Sequence, residues 1–123
     1  METARKRLGS LGETLSCQHL EGLGNRILER NWRWSHLEID IITQDPEGLH
    51  FVEVKSRVAP VSAAPEDNVT LPKQRRLAAA ALAYLHEGTF GDLDVFFDIV
   101  TVVFDGGRTD INYYKQAFIP IYT

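Results

Sequence analysis

A chain of 123 residues has room for one domain around a single core, because two domains of ~100 residues each do not fit. With 44% hydrophobic and 24% charged residues it excludes wholesale disorder and collagen-like repeats, and its longest apolar run, Leu77 to Leu85, is far short of the ~20 residues that span a bilayer. The net charge of −4 speaks against a polyanionic partner until it is divided by position: residues 1 to 76 carry 11 basic and 11 acidic side chains, residues 77 to 123 carry 2 and 6. No apolar stretch follows Arg5-Lys6-Arg7, so a signal peptide is not expected and a cytoplasmic location is. Cys17 stands alone, which excludes an intramolecular disulfide, a zinc ribbon and a redox pair.

In chain order, Thr3 to Gly22 lacks proline, spaces leucines at 8, 11, 15 and 20, and ends at Gly22 and Gly24, which predicts a first helix. Asn25 to Arg33 fits a short edge strand. Two stretches with period-2 alternation follow, Glu38 to Thr43 and His50 to Arg57, joined by Asp45-Pro46-Glu47-Gly48 with the residue preferences of a type I turn; this predicts a hairpin. Val58 to Thr70 has two prolines and no period, and reads as an exposed loop. A second helix is predicted over Leu71 to His86, with Thr70 as N-cap, Pro72 in the first turn and an apolar stripe of Leu77, Ala78, Ala81, Leu82 and Leu85. Asp94 to Phe104 is a β-branched and aromatic strand, Asp105-Gly106-Gly107 a turn, and Ile111 to Ile119 a last strand. The expected fold is α/β, a mixed sheet flanked by helices in the order α-β-β-β-α-β-β.

Strict alternation puts Glu38, Asp40 and Ile42 on one face of a strand, and Phe51, Glu53, Lys55 and Arg57 on one face of the next. If residues 45 to 48 form the loop, paired positions sum to 93, setting Asp40 opposite Glu53 and Glu38 opposite Lys55. Two carboxylates facing each other repel, and a hard divalent cation with oxygen ligands is one compensation. Lys55 beside them adds a positive charge suited to a phosphorane-like transition state or to orienting water, so the pattern reads as metal-assisted phosphoester hydrolysis. By periodicity alone, a half-exposed hairpin with Glu38–Lys55 salt bridges is the better description. Against it, Ile39, Ile41, Ile42, Phe51, Val52 and Val54 are apolar on both faces, as in strands buried on both sides, where charges need a reason.

Glu38-Ile39-Asp40 followed by Phe51-Val52-Glu53-Val54-Lys55-Ser56-Arg57 resembles the Asp…Glu-x-Lys core of the PD-(D/E)XK nuclease superfamily, and more narrowly the bacterial YraN family of endonuclease-like proteins, similar to archaeal Holliday-junction resolvases. Leu11-Gly12-Glu13, Asn31 with Arg33, Pro72-Lys73 and Phe97-Asp98-Ile99-Val100 resemble further family segments in order, so the likeness covers nearly the whole chain. It implies a restriction-endonuclease-like fold and a metal-dependent DNA endonuclease, with Asp40 and Glu53 on Mg²⁺ or Mn²⁺, the Val54 carbonyl as a further ligand, Lys55 assisting catalysis and Glu13 completing the site. It also implies a phosphate contact from Lys73 and a homodimer, while Arg57 and Arg76 are candidate phosphate contacts by their place among the basic groups. The family has Gly where this chain has Leu37 and a basic residue where it has Phe96, changes that bear on substrate approach and nucleic-acid affinity. The alternative is a non-catalytic nucleic-acid-binding or protein-interaction module that keeps the fold.

Other candidates are weaker. Glu13, by residue type, is an ordinary solvated helix glutamate, and Glu38 is a supporting neighbour or the salt-bridge partner of Lys55. His19, His36, His50 and His86 lack zinc-ligand spacing, and Cys17 lacks a base within reach. Trp32, Trp34, Tyr113 and Tyr114 are residues that stack on bases when exposed and fill the core when not. Three basic groups, Arg5-Lys6-Arg7, Arg26/Arg30/Arg33 and Lys73-Arg75-Arg76, track a phosphate backbone only if the fold gathers them around the acidic residues.

Overall fold

The computed structural model describes residues 3–61 and 69–119. Two helices, α1 (Ala4–Gly22) and α2 (Leu71–Glu87), flank a five-stranded mixed sheet of β1 (Arg26–Trp34), β2 (Leu37–Asp45), β3 (Gly48–Val58), β4 (Asp94–Asp105) and β5 (Arg108–Phe118). The strands lie in sequence order; β3 and β4 are parallel and the other neighbours antiparallel. This is the expected α-β-β-β-α-β-β mixed α/β fold. The central part of the expected loop, 62–68, lies outside the described residues.

Each helix begins as predicted from its sequence. The Thr3 hydroxyl accepts the Lys6 amide at 3.1 Å and the Thr70 hydroxyl that of Lys73 at 3.3 Å. Asn25 closes α1, donating its side-chain amide to the Leu20 carbonyl and accepting a hydrogen bond from Thr43 of β2. Beneath α2 pack Ile39, Ile42, Leu49, Phe51, Phe97 and Ile99; beneath α1 pack Ile41, Val52, Val100 and Val102. The sheet is thus covered on both faces, as its two-sided apolar strands require. The α2 stripe is shifted from the predicted one: Leu82 is 52% exposed, and Ala80 and Tyr84 occupy inward positions instead. Ala80 lets the helix approach the sheet, and the Tyr84 ring fills the gap against Trp32 and Phe51.

The hairpin register holds from Asp45↔Gly48 to Ile41↔Val52 and then stops. Strict alternation fails at the same point. Ile42 and Ile39 both belong to the α2 side although three residues apart, and Ile41 belongs to the α1 side. The neighbouring strand changes phase with it: Arg30 reaches α1, while Trp32 packs towards α2. Between them Asn31 has φ 53, the left-handed conformation that asparagine tolerates, so β1 and β2 turn over together and their mutual pairing continues through Trp32↔Ile39. Three expectations are therefore corrected. Asp40 does not share the face of Ile42, Asp40 and Glu53 are not ladder partners because the β2–β3 pairing ends one position earlier, and Glu38 sits across from Arg33 of β1 rather than Lys55.

Candidate active site

The phase change produces a fork. With the β2–β3 ladder ended at Ile41, the Asp40 side chain takes over from the backbone: its Oδ2 accepts the Val54 amide at 2.8 Å. Asp40 thereby turns towards α1, where it lines a cavity with Arg5, Glu13, Val54, Ser56 and Arg57. Glu13 arrives from above because α1 lies unusually close to β3 one residue earlier. A Cβ at Gly12 would stand 1.8 Å from the Ser56 Oγ, so only glycine permits this approach.

The carboxylate oxygens of Glu13, Glu38 and Asp40 lie within 4.8 Å of one another. Glu38 thus joins the cluster directly, more closely than its sequence-based role as a supporting neighbour; its proximity follows from the phase change that alternation could not foretell. Glu53 and Lys55 are buried, at 9% and 7% exposure. Glu53 stands outside that trio and is engaged by the ammonium of Lys73, from the first turn of α2.

Electrostatics follow from this crowding. Burial, and then the charge of Glu53, push Asp40 up to about 7 against the opposing Val54 hydrogen bond. Burial raises Glu13 as well, opposed by a hydrogen bond from Asn31 and the charge of Arg30, 3.9 Å away. Burial lowers Lys55, helped by the neighbouring charge of Lys73. Cations rim the cluster: Arg5 and Arg57 on the α1 side, Lys73 and Arg76 in a groove on the α2 side, and Arg33 at 3.5 Å from Glu38. Arg30 donates to the Ser10 carbonyl and Arg33 pairs with Glu38, so part of the second basic group is committed to protein contacts. The all-oxygen donor set of Glu13, Glu38 and Asp40 fits a hard divalent cation.

A second polar cluster escaped the sequence reading. His50, fully buried, donates through Nδ1 to Asp98 at 2.6 Å and through Nε2 to Asp45 at 2.9 Å, while the Tyr113 hydroxyl and the Gln116 amide also donate to Asp98. Both ring nitrogens are engaged by carboxylates. Four strands contribute to it, β5 through both Tyr113 and Gln116, and no local spacing in the chain signals that. Phe96 stacks on this histidine at 4.8 Å, three ladder positions from the level of Glu53, and Leu37 is buried in the α2-side core. Of the four aromatics, Trp32 packs on Tyr84 and Tyr113 bonds Asp98, whereas Trp34 and Tyr114 are exposed.

Fold and site together define a mixed α/β protein with a carboxylate cluster and a buried lysine at the fork between two central strands. The chain belongs to the family described as "Uncharacterised protein family UPF0102", whose family model matches residues 12–102. It is 42% identical over 113 residues to a UPF0102 protein of Bacteroides thetaiotaomicron, covering 92% of this chain and 93% of that one. A UPF0102 protein of Clostridium perfringens strain 13 is 39% identical over 120 residues, covering 96% and 98%, and one of Chlorobium chlorochromatii is 45% identical over 97, covering 77% and 73%. No helix among the described residues is long and apolar enough to cross a membrane.

Proposed function

We propose that this protein is a metal-dependent endonuclease that hydrolyses DNA phosphodiester bonds, of the PD-(D/E)XK type and akin to the YraN family its sequence resembles, acting on branched or otherwise structured DNA. The observation that carries this reading is the meeting of Glu13, Asp40, Glu53 and the buried Lys55 where β2 and β3 part. Asp40 and Glu53 would hold Mg²⁺ or Mn²⁺, supported by Glu13, with the Val54 carbonyl and Glu38 within the same neighbourhood. The metal would supply Lewis-acid polarisation of a phosphoryl oxygen and a more acidic bound water.

Hydrolysis joins a water oxygen to phosphorus, breaks one phosphorus–sugar oxygen bond, and requires a proton to leave the water and another to reach the departing oxygen. Lys55 would meet the charge that develops on phosphorus. Its burial lowers its hold on the proton, which suits an ammonium that stabilises a phosphoryl oxygen or passes a proton near it. Arg57, Lys73 and Arg76 would take flanking phosphates. A cytoplasmic location and a homodimer facing a two-fold symmetric junction belong to the same proposal.

The test is cleavage of junction, flap and single-stranded substrates with Mg²⁺ or Mn²⁺. Wild type is expected to cleave and Lys55→Ala to lose about 10²- to 10⁴-fold. Cleavage that survives Lys55→Ala undiminished refutes the assignment. DNA binding without cleavage at any metal concentration selects the non-catalytic module instead.

A further inference from the structure

The groove on the α2 side of the carboxylates has a feature that phosphodiester hydrolysis by itself does not require. Its lining includes His36 from the β1–β2 turn, Leu37 and Glu38 from the start of β2, and Lys73 and Arg76 from α2. Trp34 pairs with Leu37 across that turn, and cross-strand partners stand on one face of the sheet. Trp32, two residues earlier on the same face, is packed edge-on against Tyr84 at 5.1 Å; Trp34 passes the end of this packing and is 45% exposed. The turn that carries it is only Ser35-His36, with Ser35 at φ 57 and its hydroxyl 3.3 Å from the His36 Nδ1, so the ring is presented by a short hairpin end.

We propose that this groove is a subsite for one unpaired nucleotide of single-stranded DNA, with Lys73 and Arg76 on its phosphate and Trp34 stacked on its base; the assignment rests on the endonuclease reading above. Three observations converge on it. The groove is continuous with the carboxylates, since Glu38 belongs to both and Lys73 touches Glu53. Its cations match a phosphate, and the exposed Trp34 ring, paired with Leu37 at its edge, matches a base. Bases inside a duplex are already stacked on each other and offer no free face to a surface tryptophan, whereas an unpaired base of any identity does. Arg5 and Arg57 lie on the other side of the carboxylates, so a strand held at Trp34 continues over the site to a second basic patch.

The experiment measures binding of oligo(dT) of about twelve nucleotides and of a blunt duplex of equal length, by anisotropy of labelled DNA and by tryptophan quenching, with Ca²⁺ present. Wild type is expected to prefer oligo(dT) and to show quenching. Trp34→Leu keeps apolar bulk without a ring; it should weaken oligo(dT) about 5- to 150-fold and leave the duplex within about twofold. Trp34→Phe should recover most of the affinity, and Arg76→Ala should lower the salt slope by ~0.7. Oligo(dT) binding by Trp34→Leu at wild-type strength, or an equal loss on the duplex, overturns the subsite. Lys55-dependent cleavage alongside that result leaves the endonuclease standing. Conversely, Trp34-dependent oligo(dT) binding with no cleavage at any metal concentration supports the subsite and removes the endonuclease.

Discussion

Gly12 of α1 and Ser56 of β3 touch so closely that a methyl group on residue 12 would lie 1.8 Å from the Ser56 Oγ and 3.1 Å from its Cβ. This contact sets how far Glu13 reaches over the sheet. Gly12→Ala gains up to about 1 kcal/mol of helix propensity but forces the helix outward, at an overpacking cost of about 1–3 kcal/mol. The expected net result is a modest loss in denaturant stability together with a larger loss in divalent-cation affinity, because Glu13 retreats. Adding Ser56→Ala should recover much of both. A double-mutant cycle with no coupling between the two positions would show that the contact does not fix the helix.

Asp40 links the site to pH. Its carboxyl titrates near the usual carboxylate range when unfolded and at about 7 when folded, so the native state binds more protons between roughly pH 4 and 7. Stability should therefore fall as pH rises through that window, by up to a few kcal/mol, with the full penalty present above pH 7. Asp40→Asn keeps an acceptor for the Val54 amide and removes the charge. It should flatten this part of the profile and raise metal-free stability at pH 8 by about 1 kcal/mol. Mn²⁺ should stabilise wild type by ~2.7 kcal/mol at a hundredfold excess over its dissociation constant, and Asp40→Asn much less. Thermal melts across pH, with and without Mn²⁺, check all three outcomes.

The hairpin register was legible because Asp45-Pro46-Glu47-Gly48 fixes the loop: the Asp45 carboxylate accepts the Glu47 and Gly48 amides, and Gly48, at φ 154, leaves no room for a Cβ beside Asp94. Both helices were legible from Thr3, Thr70 and the glycines after the first. The site was legible in its members but not in its geometry. Asn31 and Asp40 reverse the phase of two strands together, and neither residue type announces this in a sequence whose alternation looks unbroken. Glu38 consequently gained a place among the carboxylates, and Glu53 was found paired with α2. Non-local clusters were the least visible of all, His50 being the clearest case.

His50 predicts a loss of stability with rising pH in a higher window than Asp40. Burial alone would push it down, but hydrogen bonds from the ring to Asp98 and Asp45, and their charges, carry it above its ordinary value. Its contribution is therefore complete below about pH 6.5, the unfolded value, and is lost as pH rises through the higher folded value. Asp98→Ala leaves a buried imidazolium and the Tyr113 hydroxyl short of an acceptor, and should cost about 3–5 kcal/mol. Because the cluster sits at the turn end of β3, away from the fork, folded Asp98→Ala at low temperature should bind Mn²⁺ as wild type does. A change in Mn²⁺ affinity comparable to that of Asp40→Asn would mean that the two clusters are coupled.

Lys73 and Glu38 decide which carboxylates a cation meets. Lys73 neutralises Glu53; the lysine side chain is 35% exposed, but that of Glu53 is only 10% exposed, so removing the ammonium leaves a largely buried carboxylate without its partner. Lys73→Met should therefore lower the melting temperature without metal while freeing Glu53, and Mn²⁺ affinity measured by calorimetry should rise. Glu38 is held 3.5 Å from Arg33 and within 4.8 Å of Glu13 and Asp40. If it serves the cation, Glu38→Gln weakens Mn²⁺ binding to a degree similar to Glu13→Gln. If it serves only Arg33, Glu38→Gln and Arg33→Gln have equal, small effects on stability and none on the metal. The ordering expected from the geometry is Asp40→Asn most damaging to Mn²⁺ binding, because Asp40 stands at the fork on the Val54 amide and borders Glu13, Glu38 and Glu53, followed by Glu13→Gln and Glu38→Gln, with Lys73→Met changing it in the opposite direction.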